Sequence, residues 1–167
     1  MHSHSKGAGW IVLTVLALAS GFKSGHVLAA NGLEFELATL SGNAFVKISD
    51  FRNRAVLINV WGTECPPCVK ETPLLNAQSK IYTKVQFLGI ATDGRISSLR
   101  FAGKFHVRYP QLQAPIHPDG LLRRLGDSNG ALPFTVVLDA EHRICASRLG
   151  AVDADWIRGV MTACARD

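Results

Sequence analysis

A buried strand that runs directly into a pair of cysteines constrains this chain more than any other feature. Residues 55–61 form an apolar run rich in β-branched side chains, which is typical of a strand covered on both faces. Cys65, Pro66, Pro67 and Cys68 follow at once. Proline fixes φ near a helical value and lacks an N–H that the first turn of a helix leaves unbonded. The motif therefore predicts the start of a helix.

The spacing of the two cysteines predicts redox chemistry. Side chains three residues apart in the first turn of a helix are close enough for Cys65 and Cys68 to form a disulfide with tolerable strain. The helix N-terminus carries partial positive charge, which stabilises a thiolate on Cys65, the sulfur nearer that end. We expect Cys65 to be the nucleophile. Cys68 is then the resolving thiol, which attacks the mixed disulfide and releases the reduced partner.

Two alternatives to redox chemistry are a zinc site and an inert structural disulfide. A zinc site needs a second pair of ligands, and Cys145 and Cys164 lack the short spacing of a zinc knuckle. A cysteine pair between a buried strand and the start of a helix favours redox chemistry over an inert bridge. We expect no metal and no cofactor.

Residues 59–68, Pro73 in the helix that follows, and residues 131–135 together resemble the TlpA/ResA/CcmG branch of the thioredoxin superfamily. The resemblance extends from about Phe35 to the C-terminus. It implies an α/β thioredoxin fold, with a central mixed β-sheet flanked by helices and an N-terminal β-hairpin extension. It also implies a protein-disulfide reductase, a thiol:disulfide oxidoreductase that acts outside the cytoplasm.

Glu64 departs from the family pattern, which usually has tryptophan immediately before the first cysteine. A carboxylate beside Cys65 disfavours the thiolate by like-charge repulsion and so opposes the helix dipole. Poor thiolate stabilisation makes the dithiol a better electron donor. The alternative is a solvated Glu64 that points away and has a negligible effect.

The resemblance also assigns residues around the cysteines. Pro133 is similar to the cis-proline that faces the disulfide in this family, and Leu132 before it would present its backbone to an extended substrate segment. The alternative is a trans proline that opens a strand. The resemblance implies that Trp61, Pro66 and Pro67 shape the site.

An acidic side chain often moves protons beneath the cysteines in this family. Asp93 and Glu71 are the nearest candidates for such a proton relay, although neither matches a motif. Asp93 follows the second apolar run, residues 85–91, and could instead cap the helix predicted over residues 96–105.

The N-terminal residues 1–29 predict export. Lys6 precedes an apolar stretch that is shorter than the roughly 20 residues preferred by a spanning helix, and small residues end at Ala29 and Ala30. We expect a signal peptide cleaved there, or else an uncleaved membrane anchor, followed by one thioredoxin-like domain over residues 30–167. The expected location is the periplasm, with membrane contact only if the segment is retained.

Charge gives no support to nucleic-acid binding. The net charge of the 167-residue chain is +5, and its basic residues are scattered without an interleaved aromatic stripe.

Hydrophobic patterns predict the remaining elements. Residues 35–40 and 44–48 alternate around a turn and predict the hairpin, and residues 144–149 predict a strand before an amphipathic last helix. Cys145 and Cys164 fall on those last two elements. They can form a structural disulfide in an oxidising compartment or stay two separate buried thiols, and geometry decides between the two.

The sequence thus predicts an extracytoplasmic reductase of protein disulfides, which serves cytochrome c maturation or other periplasmic thiols. Its partners would be proteins with disulfides or thiols, and, as in the family, a membrane protein that supplies electrons. The alternatives are a dithiol oxidase or isomerase, and a non-enzymatic protein that binds Cu(I) through its thiols. A peroxidase is disfavoured because no peroxide-binding proline and threonine pattern precedes Cys65.

Overall fold

The computed structural model describes residues 1–2 and 32–165. The predicted signal peptide or anchor, residues 1–29, and its cleavage point near Ala29 or Ala30 therefore lie almost entirely outside the described residues. None of the helices in the described part of the chain combines the length and apolar character that a membrane span requires.

A short hairpin precedes the central sheet, as the sequence predicts. Strands β1 (Glu36–Ala38) and β2 (Phe45–Lys47) pair antiparallel and form a two-stranded sheet of their own. The hairpin therefore does not lengthen the central sheet by two full strands. Beyond β1 the chain turns inward at the buried Leu40, whose N–H donates to the carbonyl of Gln111 over 2.8 Å and ties the hairpin to the sheet.

Five strands of the described part of the chain form the central sheet. They are β3 (Val56–Trp61), β4 (Gln86–Ala91), β5 (Gln111–Gln113), β6 (Phe134–Leu138) and β7 (Ile144–Leu149). Their order is β5-β4-β3-β6-β7. The pairs β3–β4 and β4–β5 are parallel, whereas β3–β6 and β6–β7 are antiparallel. The predicted mixed sheet is confirmed, and the carboxyl ends of β3, β4 and β5 meet at one edge.

Within residues 32–165, four α-helices flank this sheet: α1 (Pro66–Ile81), α2 (Arg95–Lys104), α3 (Asp119–Leu125) and α4 (Ala154–Cys164). A 3₁₀ turn at Ile48–Phe51 links the hairpin to β3. Helix α1 continues through Pro73, which has no N–H to donate within the helix. In the turn before Pro73, the Thr72 hydroxyl donates to the Cys68 carbonyl over 2.8 Å.

The central strand β3 is buried along its whole length and divides the core into two layers. Val56, Ile58 and Val60 pack on the face covered by α3 and the hairpin. Leu57 packs on the opposite face, with residues of α1 and α4. Each fully buried side chain of this kind contributes about 1.5–3 kcal/mol to folding, so β3 is held firmly from both sides. Its last residue, Trp61, therefore places the following cysteine motif on a rigid support.

Candidate active site

A disulfide joins Cys65 and Cys68 at the N-terminus of α1, with 5.2 Å between their Cα atoms. Cys65 is the N-cap residue, and its Sγ accepts a hydrogen bond of 3.3 Å from the Cys68 N–H. Pro66 and Pro67 occupy the first two helical positions, where the N–H that proline lacks would have no partner within the helix. The same donor and the helix dipole would stabilise a Cys65 thiolate once the disulfide is reduced.

The two sulfur-bearing residues differ in exposure. Cys65 is 9% exposed and lines a surface cleft, whereas Cys68 is fully buried. A partner molecule can therefore reach Cys65 but not Cys68.

The cleft at Cys65 is shallow, with a volume of about 370 Å³. It is lined by Gly62, Glu64, Cys65, Pro66, Pro67, Asp93 and Leu132. A larger cleft of about 640 Å³ lies at the opposite end of the strands, away from the Cys65–Cys68 pair. A protein can enter a shallow cleft of this kind with an extended segment, which a deep cavity would not admit as easily.

Glu64 is exposed in the turn between β3 and α1 and lines the same cleft as Cys65. The cleft therefore has a carboxylate directly beside the accessible sulfur. Its predicted effect on the thiolate stays a prediction, because the cysteines are joined in a disulfide.

Asp93 binds the loop before Cys65 and does not cap α2. Its carboxylate accepts hydrogen bonds from the backbone N–H of Thr63 and from the Thr63 hydroxyl, the latter over 2.8 Å. The N-cap of α2 is Gly94, which makes no side-chain capping bond. The capping alternative for Asp93 is therefore wrong, because the carboxylate is turned toward the loop that precedes Cys65.

Gly62 permits the close approach of this loop to its neighbours. A Cβ atom at Gly62 would lie 3.2 Å from Leu132 Cδ1 and 3.3 Å from Asp93 Oδ2, tighter than most such contacts. The absence of a side chain at Gly62 lets three segments converge at the cleft: the loop after β3, the loop after β4 and the segment before β6.

Glu71 is 3% exposed and lies one helical turn after Cys68. Its two carboxylate oxygens accept hydrogen bonds from Asn59 Nδ2 over 2.8 Å and from the Val152 N–H over 2.9 Å. Asn59 Nδ2 also donates to the Thr135 hydroxyl over 3.0 Å. Burial raises the pKa of Glu71 above its ordinary value of 4.5, and the two hydrogen bonds oppose this shift. Glu71 is thus a buried proton-binding group close to Cys68 in sequence.

The raised pKa of Glu71 predicts a pH-dependent contribution to stability. The folded protein binds this proton more tightly than the unfolded chain, so the contribution is fully present below pH 4.5 and is lost as the pH rises above it. We expect the free energy of unfolding of the wild type, relative to Glu71→Gln, to fall from about pH 4 to pH 8 in urea titrations. If the difference in free energy of unfolding between the wild type and Glu71→Gln stayed constant or rose over this range, the raised pKa of Glu71 would be contradicted.

Trp61 is fixed by contacts that sequence reasoning missed. Its indole Nε1 donates to Gln111 Oε1 over 2.8 Å, and its ring stacks on Phe101 with 4.6 Å between centroids. Gly89 leaves room for the Gln111 side chain, which a Cβ atom there would overlap. The sequence carries no motif for either residue: Gln111 meets Trp61 through the pairing of β3, β4 and β5, and Phe101 meets it through the packing of α2.

The peptide bond between Leu132 and Pro133 is cis. Leu132 is half-buried and lines the cleft, whereas Pro133 is buried and its carbonyl accepts the Gly150 N–H over 2.8 Å. The segment before β6 is therefore anchored to the end of β7 and lies beside Cys65.

A second disulfide joins Cys145 of β7 to Cys164 of α4, with 5.8 Å between their Cα atoms. Of the two alternatives for this pair, a disulfide or two separate buried thiols, the structure has the disulfide. Cys145 is exposed and Cys164 is buried, and neither residue lines the cleft at Cys65. The second disulfide is thus separate from the Cys65–Cys68 pair.

Comparisons with known proteins identify the family of this chain. The sequence matches the AhpC/TSA family over residues 29–165. It is 31% identical over 146 residues to the thiol-disulfide oxidoreductase ResA of Geobacillus kaustophilus, which covers 80% of this chain and 80% of that protein. The ResA of Bacillus cereus is 26% identical over 164 residues, or 90% of this chain and 91% of that protein.

A solved structure of similar fold is a thiol:disulfide interchange protein of the thioredoxin family from Chlorobium tepidum. Its TM-score is 0.69 at 24% identity, over 80% of this chain and 94% of that one. This likeness shows the thioredoxin fold, and the ResA relatives have the activity in their name. The chain therefore belongs to the AhpC/TSA family and is a thiol-disulfide oxidoreductase of the ResA type.

Proposed function

We propose that Cys65 and Cys68 act as a dithiol that reduces disulfides of partner proteins. The Cys65 thiolate attacks one sulfur of the partner disulfide, and the other partner sulfur leaves and takes up a proton. Cys68 then loses its proton and attacks Cys65 Sγ, which closes the Cys65–Cys68 disulfide and releases the second partner thiol. Two electrons pass from the enzyme to the partner. The observation that carries this proposal is that Cys65 lines the cleft and keeps 9% of its surface exposed, whereas Cys68 is fully buried.

We assign Glu71 as the proton relay for the resolving step. It lies one turn beyond Cys68 on α1, is buried, and has a raised pKa. These properties suit a group that exchanges a proton with a nearby buried thiol. Asp93, the other candidate, is held by Thr63, and we propose that it positions the loop before Cys65.

The segment of Leu132 and Pro133 would bind the partner. It lies beside Cys65 in the cleft, and the hydrogen bond from the Gly150 N–H to the Pro133 carbonyl holds its backbone in place. An extended partner segment could pair with such a backbone as an added strand, which would bring its disulfide to Cys65. Pro66 and Pro67, which line the cleft, and Trp61, which packs in one buried cluster with Cys65 and Cys68, would shape the site.

The proposed setting is the periplasm, after cleavage near Ala29 or Ala30 or with residues 1–29 kept as an anchor. Electrons would come from a membrane donor, and the reduced protein would serve cytochrome c maturation or other periplasmic thiols. The carboxylate of Glu64 in the cleft favours the role of a reductant, because it disfavours the Cys65 thiolate and so stabilises the disulfide.

The reduction potential of the Cys65–Cys68 pair tests the direction of electron flow. We would equilibrate residues 30–167 with dithiothreitol or glutathione and count alkylated thiols by mass spectrometry. We expect a value near that of thioredoxin, about −270 mV, and a higher value in Glu64→Gln. A reduction potential of about −120 mV would identify an oxidant and overturn the proposed role as a reductant.

A further inference from the structure

The connector between β7 and α4 supplies one of the two hydrogen bonds that hold Glu71. Val152, in this connector, is 5% exposed, and its N–H donates to Glu71 Oε2 over 2.9 Å. Asn59, which binds the other carboxylate oxygen, sits in the central strand β3 and is rigidly supported. The hydrogen bond from Val152 differs from the Asn59 bond, because it forms only when the connector lies against Glu71.

The second disulfide closes a covalent ring around this connector. Cys145 is near the start of β7, and Cys164 is the last residue of α4. The two elements that lead into and out of the connector are thus tied together at their far ends. Val152 lies inside the ring, so movement of α4 away from β7 is limited by the disulfide.

Arg148 of β7 holds the connector from within the ring. Its guanidinium donates to Asp153 Oδ2 over 3.2 Å and lies 6.0 Å from the centre of the Trp156 ring. Asp153 in turn caps α4 by accepting the Trp156 N–H over 2.8 Å. The start of α4 and the end of β7 are therefore fixed to each other on either side of Val152.

We propose that the Cys145–Cys164 disulfide is a positioning element for Glu71, acting through the Val152 N–H on the step in which Cys68 resolves the mixed disulfide. The proposal rests on the proposed function of Glu71 as the proton relay. Opening the ring lets α4 and the connector move, and Glu71 then loses a donor that fixes its orientation. The first step, attack by Cys65 at the cleft, does not involve this connector.

The groups that face Glu71 set its pKa, so a change in that pKa reports a change in the coupling. They are Asn59 from β3, the Val152 N–H from the connector, Arg148 from β7 and Tyr109 from the segment before β5. The Val152 bond lowers the pKa of Glu71, so its loss raises that pKa. A titration of the Glu71 carboxyl carbon by NMR would detect the change.

A double-mutant cycle with a small disulfide probe tests the coupling. Reduced protein is mixed with 5,5′-dithiobis(2-nitrobenzoate), and the release of the first and second thionitrobenzoate is followed in a stopped-flow instrument. The first release reports attack by Cys65 and the second reports resolution by Cys68. The four proteins are the wild type, Cys145→Ser/Cys164→Ala, Glu71→Gln, and the combination. Alkylation and mass spectrometry verify that the wild type keeps its second disulfide.

We expect opening the ring to slow the second release about tenfold, to leave the first within about twofold, and to raise the Glu71 titration midpoint. In the Glu71→Gln background the same change should slow the second release less than about twofold. Leu121→Ala, which destabilises the opposite layer of the core, is the control and should leave both releases unchanged.

An equal slowing in both backgrounds, or an unshifted or lowered Glu71 midpoint, would overturn the positioning role. If Glu71→Gln alone leaves the second release unchanged, the proposed relay fails instead. Should the ring-opened protein not fold, Arg148→Gln keeps both disulfides and should slow the second release several-fold. No slowing in that variant would also overturn the proposal.

Discussion

Replacing Cys65 with serine is expected to lower the rate of protein-disulfide reduction by at least about 10³-fold. A serine hydroxyl is not ionised near neutral pH and cannot form the mixed disulfide through which exchange proceeds. Cys68 cannot substitute for Cys65, because Cys68 is fully buried and does not line the cleft. Reduction of insulin disulfides, followed by the turbidity of the released chain, measures this rate.

The second cysteine pair supplies the control for this experiment. Cys145→Ser/Cys164→Ala keeps Cys65 and Cys68 and should retain at least about a tenth of the wild-type rate. If Cys65→Ser left insulin reduction intact while Cys145→Ser removed it, the reactive pair would be the other one.

Removing the second disulfide is expected to lower the free energy of unfolding by about 3 kcal/mol. The bridge spans a sequence separation of 19 residues, and closing a loop of that size restricts the unfolded chain substantially. A loss of that size should lower the melting temperature by about 6–12 °C in a domain of this length. Urea unfolding without reductant compares the wild type with Cys145→Ser/Cys164→Ala.

The first disulfide provides a matched comparison. Its cysteines are only 3 residues apart, so Cys65→Ser/Cys68→Ala should cost less than opening the larger loop. Equal losses in the two variants, or no loss on opening the second disulfide, would contradict this account of the stability.

The local parts of the site were predictable from the sequence. The apolar run before Cys65 predicted the central strand, and Pro66 and Pro67 predicted the helix that begins there; α1 does begin at Pro66. These features depend on neighbouring residues, and backbone propensities act over the same short range. The hairpin of β1 and β2 was predicted for the same reason.

The long-range contacts were not predictable. The sequence makes Glu71 one of two candidate acids, but its hydrogen-bond partners Asn59 and Val152 carry no signal at sequence level. A hydrophobic pattern shows which face of a strand is buried, and it does not show which side chain lies opposite. Register and helix packing decide that, so polar contacts between distant segments appear only in the folded structure.

Asp93 shows how a local rule can mislead. An aspartate just before a helix favours capping, but this carboxylate has a second choice in the Thr63 loop, which the pairing of β3 with β4 brings alongside. Two donors from Thr63, a backbone N–H and a hydroxyl, outcompete one N–H of α2.

The most direct test of the central claim is to identify the sulfur that joins the partner. The reduced Cys68→Ser variant would be mixed with native, disulfide-bonded insulin. The trapped species would be digested without reductant and mapped by mass spectrometry. We expect a mixed disulfide between Cys65 and an insulin cysteine, stable because Cys68 is missing, and none in Cys65→Ser. An adduct on Cys145 or Cys164, or one that forms equally well in Cys65→Ser, would contradict the assignment of Cys65 as the nucleophile.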